Sequence, residues 1–120
     1  MGVRILVVED DPQNLYLVRF LLERAGHEVT SATDGAQAVE VAVAMDPDLV
    51  LMDMLLPRMD GWAATRALKS EHHLKAPVIA LTAYSMKGDR ESILEAGCDG
   101  YISKPIDPET FVAEVERYIA

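Results

Sequence analysis

Cysteine is almost missing from this chain. Cys98 stands alone among 120 residues, so no internal disulfide can form, and a reducing compartment is expected. Basic residues are also scarce: 11 Lys and Arg face 20 Asp and Glu, for a net charge of −9. No cationic block offsets that balance, which argues against direct binding to nucleic acid. No apolar run approaches the roughly 20 residues that a membrane helix needs. The first residues lack a charged-then-apolar leader, and Leu6 occupies the place where a myristoylation signal requires Ser or Thr. The glycines form neither a phosphate-binding P-loop nor a dinucleotide fingerprint. His72 and His73 are adjacent, without the spacing of a zinc pair, and no Cys or His motif partners them. The expectation is a cytoplasmic protein with no membrane segment.

What is present is alternation. Half of the residues are hydrophobic, enough for one core, and one domain over residues 1–120 is expected. Val3 to Val8 reads as a first strand. Asp11 offers an N-cap, and Pro12 suits the first helical position. Leu17, Val18, Leu21 and Leu22 then follow at helical spacing until Gly26. Glu28 to Ala32 reads as a second strand, and Gly35 to Ala44 as a helix closed by Asp46-Pro47. Asp48 to Met52 is the third strand, Trp62 to Ser70 a helix, and Ala76 to Thr82 the fourth strand. Lys87 to Ala96 is a polar helix ending at Gly97. Asp99 to Ile102 is the fifth strand. Asp107-Pro108 opens the last helix, whose inner face carries Phe111, Val112, Val115, Tyr118 and Ile119. Strands alternating with helices predict a parallel sheet covered on both faces.

The polar residues at the strand ends carry the chemistry. Glu9 and Asp10 end the run Ile5 to Val8, Asp53 ends the run Leu49 to Met52, Thr82 ends Val78 to Leu81, and Lys104 follows Tyr101 to Ser103. In open α/β sheets, ligands bind outside the carboxyl ends of the strands. Crowded carboxylates repel: a pair ~4 Å apart costs about 4 kcal/mol at an effective dielectric near 20. Such a cluster raises its pKa values or takes up a cation. An all-oxygen site suits Mg²⁺. A lysine and a threonine beside the acids suit a phosphoryl group, which one carboxylate can accept as nucleophile.

These residues resemble a known family. Val-Val-Glu9-Asp10-Asp11, Leu-Met-Asp53-Met-Leu-Leu-Pro57, Met59-Asp60-Gly61, Leu-Thr82-Ala83 and Ser-Lys104-Pro105 look like the motifs of bacterial response-regulator receiver domains, in order and across the whole chain. The resemblance implies an α/β, flavodoxin-like (βα)₅ fold with strand order 2-1-3-4-5. It implies that Asp53 accepts a phosphoryl group. Glu9, Asp10, Asp53 and the backbone carbonyl of Leu55 would hold Mg²⁺, with Mn²⁺ admissible. Thr82 and Lys104 would contact the phosphoryl oxygens, Tyr101 would be the switch aromatic, and Lys104-Pro105 a cis peptide. Leu55 and Tyr84, each two places beyond Asp53 and Thr82, would flank the path of a hydrolytic water. The implied partners are a histidine kinase or histidine phosphotransferase and a downstream protein target, the chain being a monomer or weak dimer. It would be a signalling domain, not an enzyme with its own substrate. Glu9-Asp10-Asp11-Pro-Gln-Asn14 and the segment Ala83 to Asp89 look most like stand-alone regulators of the DivK type, with receivers of hybrid histidine kinases as the alternative. A haloacid-dehalogenase-like phosphohydrolase also uses an aspartyl phosphate, but it needs a second Asp at the position of Leu55.

Other residues have plainer readings. Asp11 reads as a helix cap, Asp60 as a turn residue, Cys98 as a packed small side chain and Trp62 as helix packing. His27, His72 and His73 read as solvated loop residues. Phe20 points away from the core face of its helix, with Leu15 on the flank. Partners of the resembled family dock on this helix, which makes Phe20 a candidate contact.

Overall fold

The apolar runs form five strands, β1 (Arg4–Val8), β2 (Glu28–Ala32), β3 (Leu49–Asp53), β4 (Val78–Thr82) and β5 (Gly100–Ser103). They come from a computed structural model that describes residues 2–54, 61–82 and 87–119, with backbone alone for 87–90. All strand pairs are parallel, and the sheet runs β2-β1-β3-β4-β5, the flavodoxin-like order. Leu55, the Met59-Asp60 turn, and Ala83, Tyr84, Ser85 and Met86 lie outside the described residues.

Alternation along the buried strands splits the core in two. Leu6, Val8, Val50, Met52 and Ala80 pack toward Ala38, Ala42, Ala64, Leu68 and Ile93. Ile5, Val7, Leu51, Ile79 and Leu81 pack toward Val18, Leu22, Phe111 and Val115. Thus α2 (Gly35–Met45), α3 (Gly61–Arg66) and α4 (Lys87–Glu95) cover one face, and α1 (Pro12–Arg24) and α5 (Phe111–Glu116) cover the other. On α1 the buried positions are Val18 and Leu22, with Leu15 and Leu21 packed beside them. Leu17, expected at the centre of that face, is not part of the cluster, and Leu15 takes its place.

The helices begin and end where local chemistry dictates. Asp11 caps α1 by accepting from Gln13 N at 3.0 Å, and Pro12 fills the first helical position. Asp34 caps α2 by accepting from Gln37 N at 2.8 Å, and α2 ends on the left-handed residue Asp46. Two helices differ from the expectation. α3 passes into a π-type turn over Ala67–Glu71, and α5 proper starts at Phe111. Asp107 caps a turn that precedes α5: its Oδ1 accepts from Glu109 N at 3.0 Å.

At the end of the sheet opposite the acids, side chains take up the first strand amides. Val3 N donates to His27 Nδ1 (3.1 Å), Arg4 N to Asp48 Oδ2 (2.8 Å) and Val78 N to Asp99 Oδ2 (2.8 Å). His27 is therefore no solvated loop residue. It is buried, and its Nε2 lies 2.9 Å from Glu116 Oε2 on α5. His72 and His73 are exposed as expected. Cys98 is buried in the core, where desolvation pushes its thiol up to about 11.

Candidate functional site

Register brings the polar strand ends together. Val8 lies beside Met52, so Glu9, one residue past β1, comes level with Asp53, the last residue of β3. Asp53 lies beside Leu81, and Thr82 beside Ser103, which places Lys104 next to the end of β4. The backbone continues the ladder there: Lys104 N donates to Thr82 O at 2.8 Å and Met54 N to Leu81 O at 3.3 Å. Between β1 and β3 the strand order reverses, and a crevice opens at such a switch point.

Carboxylate oxygens of Glu9, Asp10 and Asp53 lie within 4.8 Å of one another. Glu9 and Asp53 are buried and Asp10 is exposed, so the cluster has a dry floor and an open side. Lys104 Nζ reaches across it, 3.1 Å from Glu9 Oε1 and 3.4 Å from Asp53 Oδ2. Thr82 is buried at the rim. Tyr101 is half-buried against the core. Lys104-Pro105 is cis, as the resemblance implied. Leu55 alone of the expected metal ligands lies outside the described residues.

The electrostatics show what the cluster lacks. Burial, then the hydrogen bond and charge of Asp53, push the Glu9 carboxyl up to about 7, against a smaller pull from Lys104. Burial would lower Lys104, but the Asp53 charge and the Glu9 hydrogen bond outweigh it and raise its pKa. Two carboxylates thus crowd around one ammonium, and burial together with Asp53 makes Glu9 hold its proton far more tightly than a free carboxyl. This donor set is all oxygen, concave and short of positive charge, which fits a hard divalent cation. The Lys104–Glu9 contact was not foreseen, because 95 positions separate the two residues in the chain and no local pattern links them.

Residues 5–116 match the response regulator receiver domain family. The chain belongs to that family. The receiver is 41% identical to the polar-differentiation response regulator DivK of Brucella ovis, over 99% of this chain and 98% of that protein. Among solved structures it is similar to the receiver domain of the sensor histidine kinase PA1611 from Pseudomonas aeruginosa PAO1. That match has 40% identity, a TM-score of 0.89 and coverage of 99% of this chain and 98% of that one. The PA1611 structure holds a magnesium ion in its active-site cleft. The chemotaxis protein CheY4 of Vibrio cholerae is similar at 27% identity and a TM-score of 0.91, over 98% of this chain and 99% of that one.

Outside the cleft, the receiver shows an aromatic ridge on α1. Tyr16 and Phe20 are both exposed, their rings stack with centroids 6.4 Å apart, and the Arg24 guanidinium lies 6.0 Å from the Phe20 ring centre. The sequence pointed to Phe20. Its partner Tyr16 carries the same signal one helical turn earlier. Among the described residues no helix is long and apolar enough to cross a membrane.

Proposed function

We propose that this receiver is a phosphorylation-controlled switch of a two-component or phosphorelay system, with Asp53 as phosphoacceptor. The observation that supports it best is the convergence of Glu9, Asp10 and Asp53 under the Lys104 ammonium at the switch point of the sheet. Glu9, Asp10 and Asp53, with the Leu55 carbonyl, would hold Mg²⁺, which when bound supplies the positive charge that lets an anionic phosphoryl group approach.

The rest is done by the chain's own groups. An Asp53 carboxylate oxygen attacks phosphorus in a phosphohistidine. The new O–P bond forms as the P–N bond breaks, and the donor imidazole leaves with the electron pair. Lys104 shifts its ammonium from Glu9 toward the phosphoryl oxygens, and the Thr82 hydroxyl donates to them. Hydrogen bonds to charged groups contribute about 1.5–3 kcal/mol each. Two of them approach the ~5.5 kcal/mol that carries a two-state equilibrium from nearly off to nearly on. The partners on this reading are a histidine kinase or phosphotransferase upstream and a protein target downstream, with the Tyr16–Phe20 ridge as a contact surface.

We take residues 1–120 as one receiver domain of a cytoplasmic protein, monomeric or weakly dimeric. The likeness to the receiver of a sensor histidine kinase favours a second context, a domain within a hybrid kinase or longer regulator. The intact mass of the native protein separates the two contexts. The chemistry is tested by labelling with acetyl phosphate or a phosphorylated kinase. Wild type takes up label only with Mg²⁺, and Asp53→Asn takes up none. Labelling of that variant at the normal rate would reject Asp53.

A further inference from the structure

Gly61 opens α3, and its backbone lies against the strand end that bears Asp53. A Cβ added there would stand 2.5 Å from Met54 Cα, 2.6 Å from Asp53 O and 2.9 Å from Met54 Sδ. Ordinary contacts between carbon atoms are roughly 3.5–4.0 Å, and two of the three atoms met are backbone. A hydrogen bond fastens the same approach: Gly61 N donates to Met54 O at 3.2 Å. Gly97 and Gly100 abut side chains instead, the Lys69 stem and the Tyr118 ring.

The helix side of this contact is the harder to move. Ala64, Thr65 and Leu68 behind Gly61 are fully buried, and the Thr65 hydroxyl donates to Gly61 O at 2.7 Å. Backing α3 away would open a void in a close-packed core. On the strand side, Asp53 is the last residue of β3 and pairs with Leu81. Past it the ladder continues only through the bond from Met54 N to Leu81 O, long at 3.3 Å. The peptide that joins Asp53 to Met54 is therefore the part that gives way.

We propose that Gly61 is a positioning residue for phosphoryl transfer. Lacking a Cβ, it lets α3 press directly on the Asp53–Met54 peptide, and this contact fixes the reach of the Asp53 carboxylate into the cleft. The proposal rests on the receiver reading above and adds a determinant outside the charged set of the cleft. Helix propensity favours alanine over glycine, so a penalty for alanine at this position comes from the contacts. Attack on phosphorus needs the carboxylate oxygen in line with the bond that breaks, and a misplacement of ~1 Å costs about a hundredfold in rate. Displacing the Asp53 peptide by about half as much costs about tenfold.

Acetyl phosphate serves as the donor, because it needs no partner protein. The Asp53 oxygen forms its bond to phosphorus as the P–O bond to acetate breaks, and acetate leaves with the electron pair. The labelling rate is followed against Mg²⁺ concentration to its plateau, beside the urea midpoint. Gly61→Ala should reach a plateau about tenfold below wild type, and further Mg²⁺ should not restore it. Gly100→Ala, crowded against Tyr118, should lower the urea midpoint and keep the wild-type plateau. Met54→Ala combined with Gly61→Ala vacates the place of the sulfur, keeps both backbone contacts and should stay slow. A wild-type plateau in either Gly61 variant, its recovery in excess Mg²⁺, or an equal loss in Gly100→Ala would overturn the positioning role alone. Failure of both Gly61 variants to fold would do the same, since Gly61 would then serve folding and not transfer. Absence of labelling in the wild type would overturn the receiver reading, and this role with it.

Discussion

Lys104 Nζ lies 3.1 Å from Glu9 Oε1, so the lysine proposed for the phosphoryl group rests on a carboxyl of the same cleft. Before activation its charge is already in use. The cluster therefore exchanges partners when it is loaded, and this makes its behaviour depend on pH.

Glu9 titrates near 7, raised by burial and by Asp53. A carboxyl raised in the folded state stabilises that state fully below its unfolded value, and the contribution is lost as pH rises through about 7. Metal-free protein is then less stable at pH 8 than at pH 6, by about 1 kcal/mol from this group. Metal binding must displace the same proton, so Mg²⁺ affinity rises about tenfold over that interval. Calorimetry and melting curves at the two pH values check both effects. If Glu9→Gln kept the wild-type slope of affinity with pH, the assignment would fail.

Asp10 is exposed, whereas Glu9 is engaged by Lys104 and by Asp11 N at 3.4 Å. At pH 6.5 Glu9 is already largely protonated, so its amide is a close imitation. There Asp10→Asn should weaken Mg²⁺ binding by at least about tenfold, the scale on which ligand-sphere groups act, and Glu9→Gln only a few-fold. At pH 8 the gap should narrow. Equal losses at pH 6.5 would contradict the ranking.

His27 holds Val3 N and Glu116 at once, joining the start of β1 to α5. With Nδ1 accepting, the proton belongs on Nε2. His27→Phe leaves a strand amide without its acceptor, and stability should fall by about 1–3 kcal/mol. The urea midpoint reads it directly, while phosphorylation of Asp53 stays at the wild-type rate because the site lies at the other end of the sheet. An unchanged midpoint would show that the pair is dispensable.

The phosphorylated state should decay over many minutes or longer. Hydrolysis needs a water in line with the O–P bond, positioned by a polar side chain. Leu55 offers no hydrogen bond, and Tyr84 is bulky, so neither suits the task. Leu55→Asn with Tyr84→Glu should accelerate loss of phosphate without weakening metal binding. A wild-type half-life of seconds, or a double variant no faster than wild type, would refute this.

Much of this protein was written locally. The runs Ile5–Val8, Leu49–Met52 and Val78–Leu81 are too apolar for anything but buried strands, and Asp11-Pro12 fixes the start of a helix on its own. A polar residue at the end of such a run stands at the sheet rim, so Glu9, Asp10, Asp53 and Thr82, with Lys104 after the fifth strand, could be named from the sequence. Their order along the chain carried the family resemblance as well. Tertiary structure decided what depends on register and on packing between distant segments. The Lys104–Glu9 contact, the Trp62–Ser92 bond and the burial of His27 join residues 95, 30 and 89 positions apart. Nothing in the spacing of a single chain encodes such meetings, because they follow from which strands lie side by side and how deep each helix sits. The same holds for the π-type turn after α3 and for Leu15 displacing Leu17 on α1. Helical periodicity names a face to within a residue or so, and contact with the sheet settles which side chains fill it.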